Sequence, residues 1–163
     1  GLGGRTTVFD DGMRSGRRGL DYLPVALKTH DPIDLVILML GTNDCKNRFH
    51  AHAAEIAEGM QALVEVVQAP ALLHLRCAPD VLVVAPPPID GKALAQGDMR
   101  FMFGAESVET SRMLSQFYQE MAQRMGAAFF DAGQATGAGA DGVHLSAEGH
   151  AALADALAAF LRG

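Results

Sequence analysis

An aspartate stands three residues before a histidine in the run Asp141-Gly142-Val143-His144-Leu145. In a glycine-containing loop ahead of a helix, that spacing lets a carboxylate orient an imidazole and stabilise its charged form, as a general base requires. About a hundred residues upstream, Gly41-Thr42-Asn43-Asp44 ends an apolar run. An asparagine there can offer its side-chain N–H to a developing oxyanion. Together the two blocks supply most of an acyl-transfer site, and what they lack is a nucleophile. Cys45 adjoins the Asn43 block, but no cysteine-nucleophile signature surrounds it.

Each residue also has a plainer reading. A histidine before a helix is usually a surface or capping residue, and a lone asparagine after a strand is usually a turn residue. The pairing of the two blocks tips both towards function, whereas Asp44 is read as structural, bonding loop backbone. His30, His50, His52, His74 and His150 have no metal-ligand spacing with carboxylates or cysteines, so neither a metal nor a cofactor is expected. Cys45 and Cys77 form no disulfide framework and are read as reduced thiols.

The elements that must position these residues follow from hydrophobic patterning. The near-continuous apolar runs at 34–40 and 81–85 fit strands buried on both faces, and Ala127-Ala128-Phe129-Phe130 fits a third. Helices are predicted over 22–30, 51–69 (Ile56, Met60, Leu63 and Val67 on one face, ended by Pro70), and 106–125 (Met113, Leu114, Phe117, Tyr118 and Met121). Ser146 is a good N-cap for a last helix with Leu153, Leu157, Phe160 and Leu161 on its core face. The glycine-rich opening from Gly1 to Thr7, residues 8–20, and the stretch with Gly91 and Gly97 read as loops. Alternating strands and helices predict a parallel α/β sheet with right-handed crossovers, where ligands sit at the carboxyl ends of the strands. Both chemistry-bearing blocks fall there.

Composition narrows the function classes. With 163 residues, 49% hydrophobic and 20% charged, the chain suits one domain, 1–163, with one core. A net charge of −6 disfavours general binding to nucleic acid or anionic membrane. Arg14, Arg17 and Arg18 form the one basic cluster in sequence, read as a solvated loop or an interface. No signal peptide or spanning apolar run is evident, so a cytoplasmic location is expected.

Leu40-Gly41-Thr42-Asn43-Asp44-Cys45-Lys46, Asp141-Gly142-Val143-His144, the opening Gly1-Leu2-Gly3-Gly4-Arg5-Thr6-Thr7 and Phe129-Phe130-Asp131-Ala132-Gly133 together resemble the SGNH (GDSL) hydrolases, in their bacterial aryl esterase/acyltransferase branch. The resemblance implies a three-layer α/β/α, flavodoxin-like fold and a serine esterase or acyltransferase working through an acyl-enzyme. It assigns His144 as base and acid, Asp141 as its partner, and Asn43 with the backbone N–H of Gly4 as oxyanion donors. Lys46, Phe103 and Val143 become candidates for the substrate pocket, and small or aryl esters with water or an alcohol become the reactants. It further implies a homo-oligomer, with residues 8–20 and 91–104 at subunit contacts.

The family nucleophile, the serine of a Gly-Asp-Ser-Leu block on the first strand, has no counterpart here. Ser15, Ser107, Ser111, Ser115 and Ser146 lie in predicted loops or helices. The expectation is therefore a C-terminal portion that lacks the first two of five strands, about 40–50 residues at ordinary element lengths, with the serine on an N-terminal segment. Two rival readings stand: a non-catalytic scaffold of the same fold, and a thioesterase or carbohydrate deacetylase of the superfamily.

Overall fold

The computed structural model describes residues 2–69, 71 and 74–163. Gly1, part of the opening loop, and Pro70, expected to end a helix, lie outside the described residues. The three apolar runs form parallel strands β1 (Leu35–Leu38), β2 (Asp80–Ala85) and β3 (Ala128–Asp131), in the order β1-β2-β3. Leu38 sits opposite Val83, and Ala85 opposite Asp131. β2 is central and buried on both faces, which is why its sequence shows no polar alternation.

Successive side chains of a strand point to opposite faces, so β2 contributes to two cores. Val81, Val83 and Ala85 join the larger one, with Ile56, Met60, Leu63 and Val67 of α2 (Ala53–Val67) and Leu114, Tyr118 and Met121 of α4 (Ala105–Met125). Leu23 and Leu27 of α1 (Gly19–His30) extend this layer. Leu82 and Val84 face the other way, onto Leu153 and half-buried Leu157 of α5 (Ala147–Phe160). The result is the expected helix–sheet–helix layering. Ser146 caps α5 as predicted, its hydroxyl accepting from the Gly149 N–H at 3.1 Å.

Three local expectations need correction. Met113, Phe160 and Leu161 are about half exposed rather than core: α4 turns Met113 outward, and Phe160 and Leu161 stand at the last turn of α5, where Phe160 meets the Phe130 ring of β3 edge to face. Residues 91–104 are not a simple loop: Asp90 caps a short helix α3 (Gly91–Gln96), accepting from the N–H groups of Lys92 and Ala93, and a 3-10 turn follows over Asp98–Phe101. Polar Asp90 before a glycine reads as a turn in sequence, whereas its carboxylate satisfies the first free helical donors.

The layer on the α5 side is incomplete around β1. Ile37 is 44% exposed there, and the outer edge of β1 pairs with no strand among the described residues. A shallow groove of about 230 Å³ lies between β1 and α1, lined by Arg5, Tyr22, Ala26, Ile37 and Met39 among others.

Candidate active site

Three loops meet at the carboxyl end of the sheet. The first leaves β1 through Gly41, whose φ of +122° is open to glycine and whose Cα lies against the Tyr118 hydroxyl. That hydroxyl donates to the Leu40 carbonyl at 3.0 Å, and the Asp44 and Cys45 N–H groups both donate to the Gly41 carbonyl. The turn leaves Asn43 half-buried, with a carboxamide that makes no hydrogen bond among the described residues. An amide held this way is free to donate.

The second loop carries Gly4, half-buried with φ of +86°. Its neighbours are fixed by backbone pairing: Thr6 donates to the Arg17 carbonyl at 3.0 Å, and the first N–H groups of α1, from Gly19 and Leu20, donate to the carbonyls of Thr6 and Thr7. Fully buried Asp44 then joins the first loop to the second. Its Oδ1 accepts from the Thr7 N–H at 2.8 Å and from the Thr7 hydroxyl at 2.5 Å. Gly59 of α2 makes room for this clamp, since a Cβ there would collide with the Thr7 side chain. Asp44 was expected to bond loop backbone; it does, and its partner belongs to the Gly4 loop. Thr7 had no signal in sequence because the pair is separated by 37 residues.

Burial of Asp44 outweighs these hydrogen bonds and the nearby Lys46 charge, and raises its pKa to about 6. Burial, reinforced by Asp44, pushes the Cys45 thiol up to about 12. Cys45 is 4% exposed and its thiol points at the Gly41 carbonyl at 3.4 Å. A protonated, enclosed thiol of this kind is a packing group and not a nucleophile.

The third loop precedes α5. Asp141 Oδ1 accepts from the N–H groups of Val143 and His144 at 2.9 and 2.8 Å, and its Oδ2 faces His144 Nδ1 at 2.6 Å. One carboxylate thus shapes the turn and orients the ring. Burial opposes ionisation of Asp141, but the His144 side chain and the two N–H donors prevail and bring its pKa down to about 2. Gly142, at φ +80°, hands its carbonyl to the Asp90 N–H at 2.9 Å, which pins the loop to the chain leaving β2. The His144 side chain is 70% exposed, so its other ring nitrogen is open to a reactant.

The pocket candidates separate. Lys46 and Phe103, both buried, line an open cavity of about 1280 Å³ that runs between the start of α2, α3 and the start of α4. Val143 is half-buried and packs on the larger core instead. The cavity does not include Asn43, Gly4, Asp141 or His144, yet it adjoins them: Lys46 N–H donates to the Asn43 carbonyl, and the α3 backbone at Leu94 packs on Gly142. None of the five serines reaches His144. Ser107, Ser111 and Ser115 sit in α4 and bond elsewhere, Ser146 caps α5, and Ser15 lies in an exposed turn.

Comparisons with known proteins bear on the family and the fold. No curated protein sequence matches the chain. A carbohydrate acetylesterase from Sinorhizobium meliloti is 43% identical over 99% of this chain and 75% of its own, with a TM-score of 0.89. The aryl esterase of M. smegmatis is 38% identical over 99% and 75%, with a TM-score of 0.91. A second carbohydrate acetylesterase family member from Sinorhizobium meliloti is 36% identical over 98% and 75%, with a TM-score of 0.87. The model of the GDSL-like lipase/acylhydrolase family matches residues 1–152. The chain belongs to that family.

Proposed function

We propose that the chain forms the acid–base and oxyanion part of a serine esterase that acts through an acyl-enzyme on small or aryl esters. The observation that carries this is the 2.6 Å contact between Asp141 Oδ2 and His144 Nδ1, with the far side of the ring exposed at the carboxyl end of the sheet. In this mechanism His144 removes a serine proton as the hydroxyl attacks the ester carbonyl, then returns it to the departing alcohol. Asp141, ionised through the working pH range, fixes the tautomer and stabilises the imidazolium. Asn43 and the Gly4 N–H receive the oxyanion, held at a set separation by the Thr7–Asp44 clamp. Water or an alcohol then takes the acyl group.

The serine is supplied by a segment outside these 163 residues that adds alongside β1. Exposed Ile37, the unpaired outer edge of β1 and the groove by α1 all suit an added parallel strand with a covering element. Exposed Met13 and Phe101, in the 8–20 loop and the 91–104 segment, favour a homo-oligomer with contacts there. The deciding test combines labelling with turnover. The complete enzyme should take one fluorophosphonate on a serine outside this chain, and His144→Ala should lose both labelling and hydrolysis of 4-nitrophenyl acetate. Hydrolysis that survives in His144→Ala overturns the mechanism. Removal of acetyl groups from carbohydrates is a second reading, favoured by the 43% identical acetylesterase; faster turnover of acetylated sugars than of aryl acetates would select it.

A further inference from the structure

Tyr118 is the largest fully buried side chain among the described residues. It belongs to α4 and shares the larger core with Leu114 and Met121. A buried phenol is tolerated where its hydroxyl finds a partner. Here the partner is the Leu40 carbonyl at 3.0 Å, where the chain leaves β1 for the turn that carries Asn43. Phenylalanine would fill nearly the same volume with no polar atom to satisfy, so packing alone does not account for the hydroxyl. Burial, with Asp44 and Cys45 nearby, raises the Tyr118 pKa well above the usual phenol value, which keeps the hydroxyl a donor.

The same hydroxyl fills the space beside the bare Cα of Gly41. A Cβ there would collide with Tyr118 Oη and stand 3.2 Å from Leu114 Cδ1. From this anchored corner the turn closes on itself. The Gly41 carbonyl accepts from the N–H groups of Asp44 at 3.1 Å and Cys45 at 3.3 Å, and the Asn43 carbonyl accepts from the Lys46 N–H at 3.3 Å. A shift of Leu40 and Gly41 therefore carries Asn43 with it. The Thr7–Asp44 clamp joins this turn to the Gly4 loop, and Tyr118 fixes it to α4. Tyr118 is 0% exposed and lines neither the large cavity nor the groove by β1, although its neighbour Phe117 lines the cavity. It touches no reactant from there.

Resting on the esterase reading above, we infer that Tyr118 is a positioning residue for the oxyanion donor Asn43. Its hydroxyl holds the corner at Leu40 and Gly41, and through that corner it holds the carboxamide where the transition-state oxygen develops. Preorganised donors stabilise a transition state because they need not reorder when the charge appears. A turn freed at Leu40 still offers the amide but must order it during the reaction. That cost falls on kcat and not on ground-state binding.

The test is a double-mutant cycle in the complete enzyme, with 4-nitrophenyl acetate as substrate. Tyr118→Phe should lower kcat by about three- to tenfold, the leverage of one neutral hydrogen bond, with KM unchanged within about twofold. Asn43→Ala should lower it by about 10²- to 10³-fold. In the Asn43→Ala background Tyr118→Phe should change kcat by less than about 1.5-fold, because no amide is left to place. Gly41→Ala, whose Cβ would press on the same hydroxyl, is the second variant and should likewise be silent once Asn43 is alanine. Ser111→Ala is the control. Its buried hydroxyl, earlier on α4, accepts from the Ile89 N–H at 3.0 Å, on the chain leaving β2, so its factor should multiply with that of Asn43→Ala. An unchanged kcat in Tyr118→Phe, a rise in KM in its place, or an equal loss with and without Asn43 overturns the role of Tyr118 and leaves the esterase standing. Silence of Ser111→Ala in the Asn43→Ala background, after a loss on its own, overturns it as well, since any loosening of α4 would then suffice. Turnover that survives Asn43→Ala overturns the oxyanion assignment, and the role of Tyr118 with it.

Discussion

Replacing Asp44 with asparagine should change how stability depends on pH. In the folded chain the Asp44 pKa rises from 3.8 to about 6, chiefly through burial. Below pH 3.8 the folded and unfolded chains both carry the neutral acid. Between 4 and 6 the unfolded chain releases the proton while the folded one keeps it, so stability falls as pH rises through this window. Above 6 both are ionised and the penalty stays constant. About two pH units at 1.36 kcal/mol each amounts to about 3 kcal/mol. Asparagine keeps the oxygen that accepts from the Thr7 N–H and hydroxyl, and removes the charge. Its amide takes the place of Oδ2, which has no partner among the described residues, a desolvation cost of about 1–3 kcal/mol that does not vary with pH. The diagnostic is therefore the trend and not the offset. Urea denaturation of both proteins at steps from pH 4 to 7.5 should show the variant gaining about 3 kcal/mol relative to the natural chain, mostly between 4 and 6. All other acids titrate alike in the two and cancel. A difference flat to within about 0.5 kcal/mol would refute the argument, since Thr7 would then stabilise the ionised carboxylate fully despite its burial.

Asn43→Ala should lower ester turnover in the complete enzyme by about 10²- to 10³-fold, the effect of removing one oxyanion donor; turnover near that of the unmodified enzyme would remove Asn43 from this role. Gly142→Ala should destabilise the fold by more than about 2 kcal/mol, because φ is +80° and the new Cβ would meet the Leu94 nitrogen at 2.5 Å and the Asp90 carbonyl oxygen at 2.7 Å. The same displacement should carry His144 away from its position, so activity falls with stability. A melting temperature within about 2 °C of the original would show that the loop relaxes freely.

The sequence by itself determined the parallel sheet, the order of its elements and the Asp141/His144 pair. These are local in origin. A strand buried on both faces is written as an unbroken apolar run, as in β2, and an aspartate three residues before a histidine can reach its ring within one turn. The Ser146 cap is equally local. Short-range periodicity failed where a neighbour far along the chain decides exposure. Phe160 and Leu161 keep the spacing of a core face but stay about half exposed at the end of α5, and the stretch after Asp90 reads as a loop until the helix it caps is seen.

Tertiary structure alone decided what joins the loops and what surrounds them. The Thr7–Asp44 clamp spans 37 residues and needs the bare Cα of Gly59 beside it, a coincidence in space that no spacing records. The arginines at 14, 17 and 18 read in sequence as one solvated loop or an interface. Folding sends Arg18 to the Val8 carbonyl and Asp21, and turns the Arg17 Nε inward beside Lys46 and Gly4. Local sequence fixes which groups a segment carries. Whether a charge is hydrated or buried depends on what the rest of the chain packs against it, as at Asp44, enclosed against the Thr7 loop.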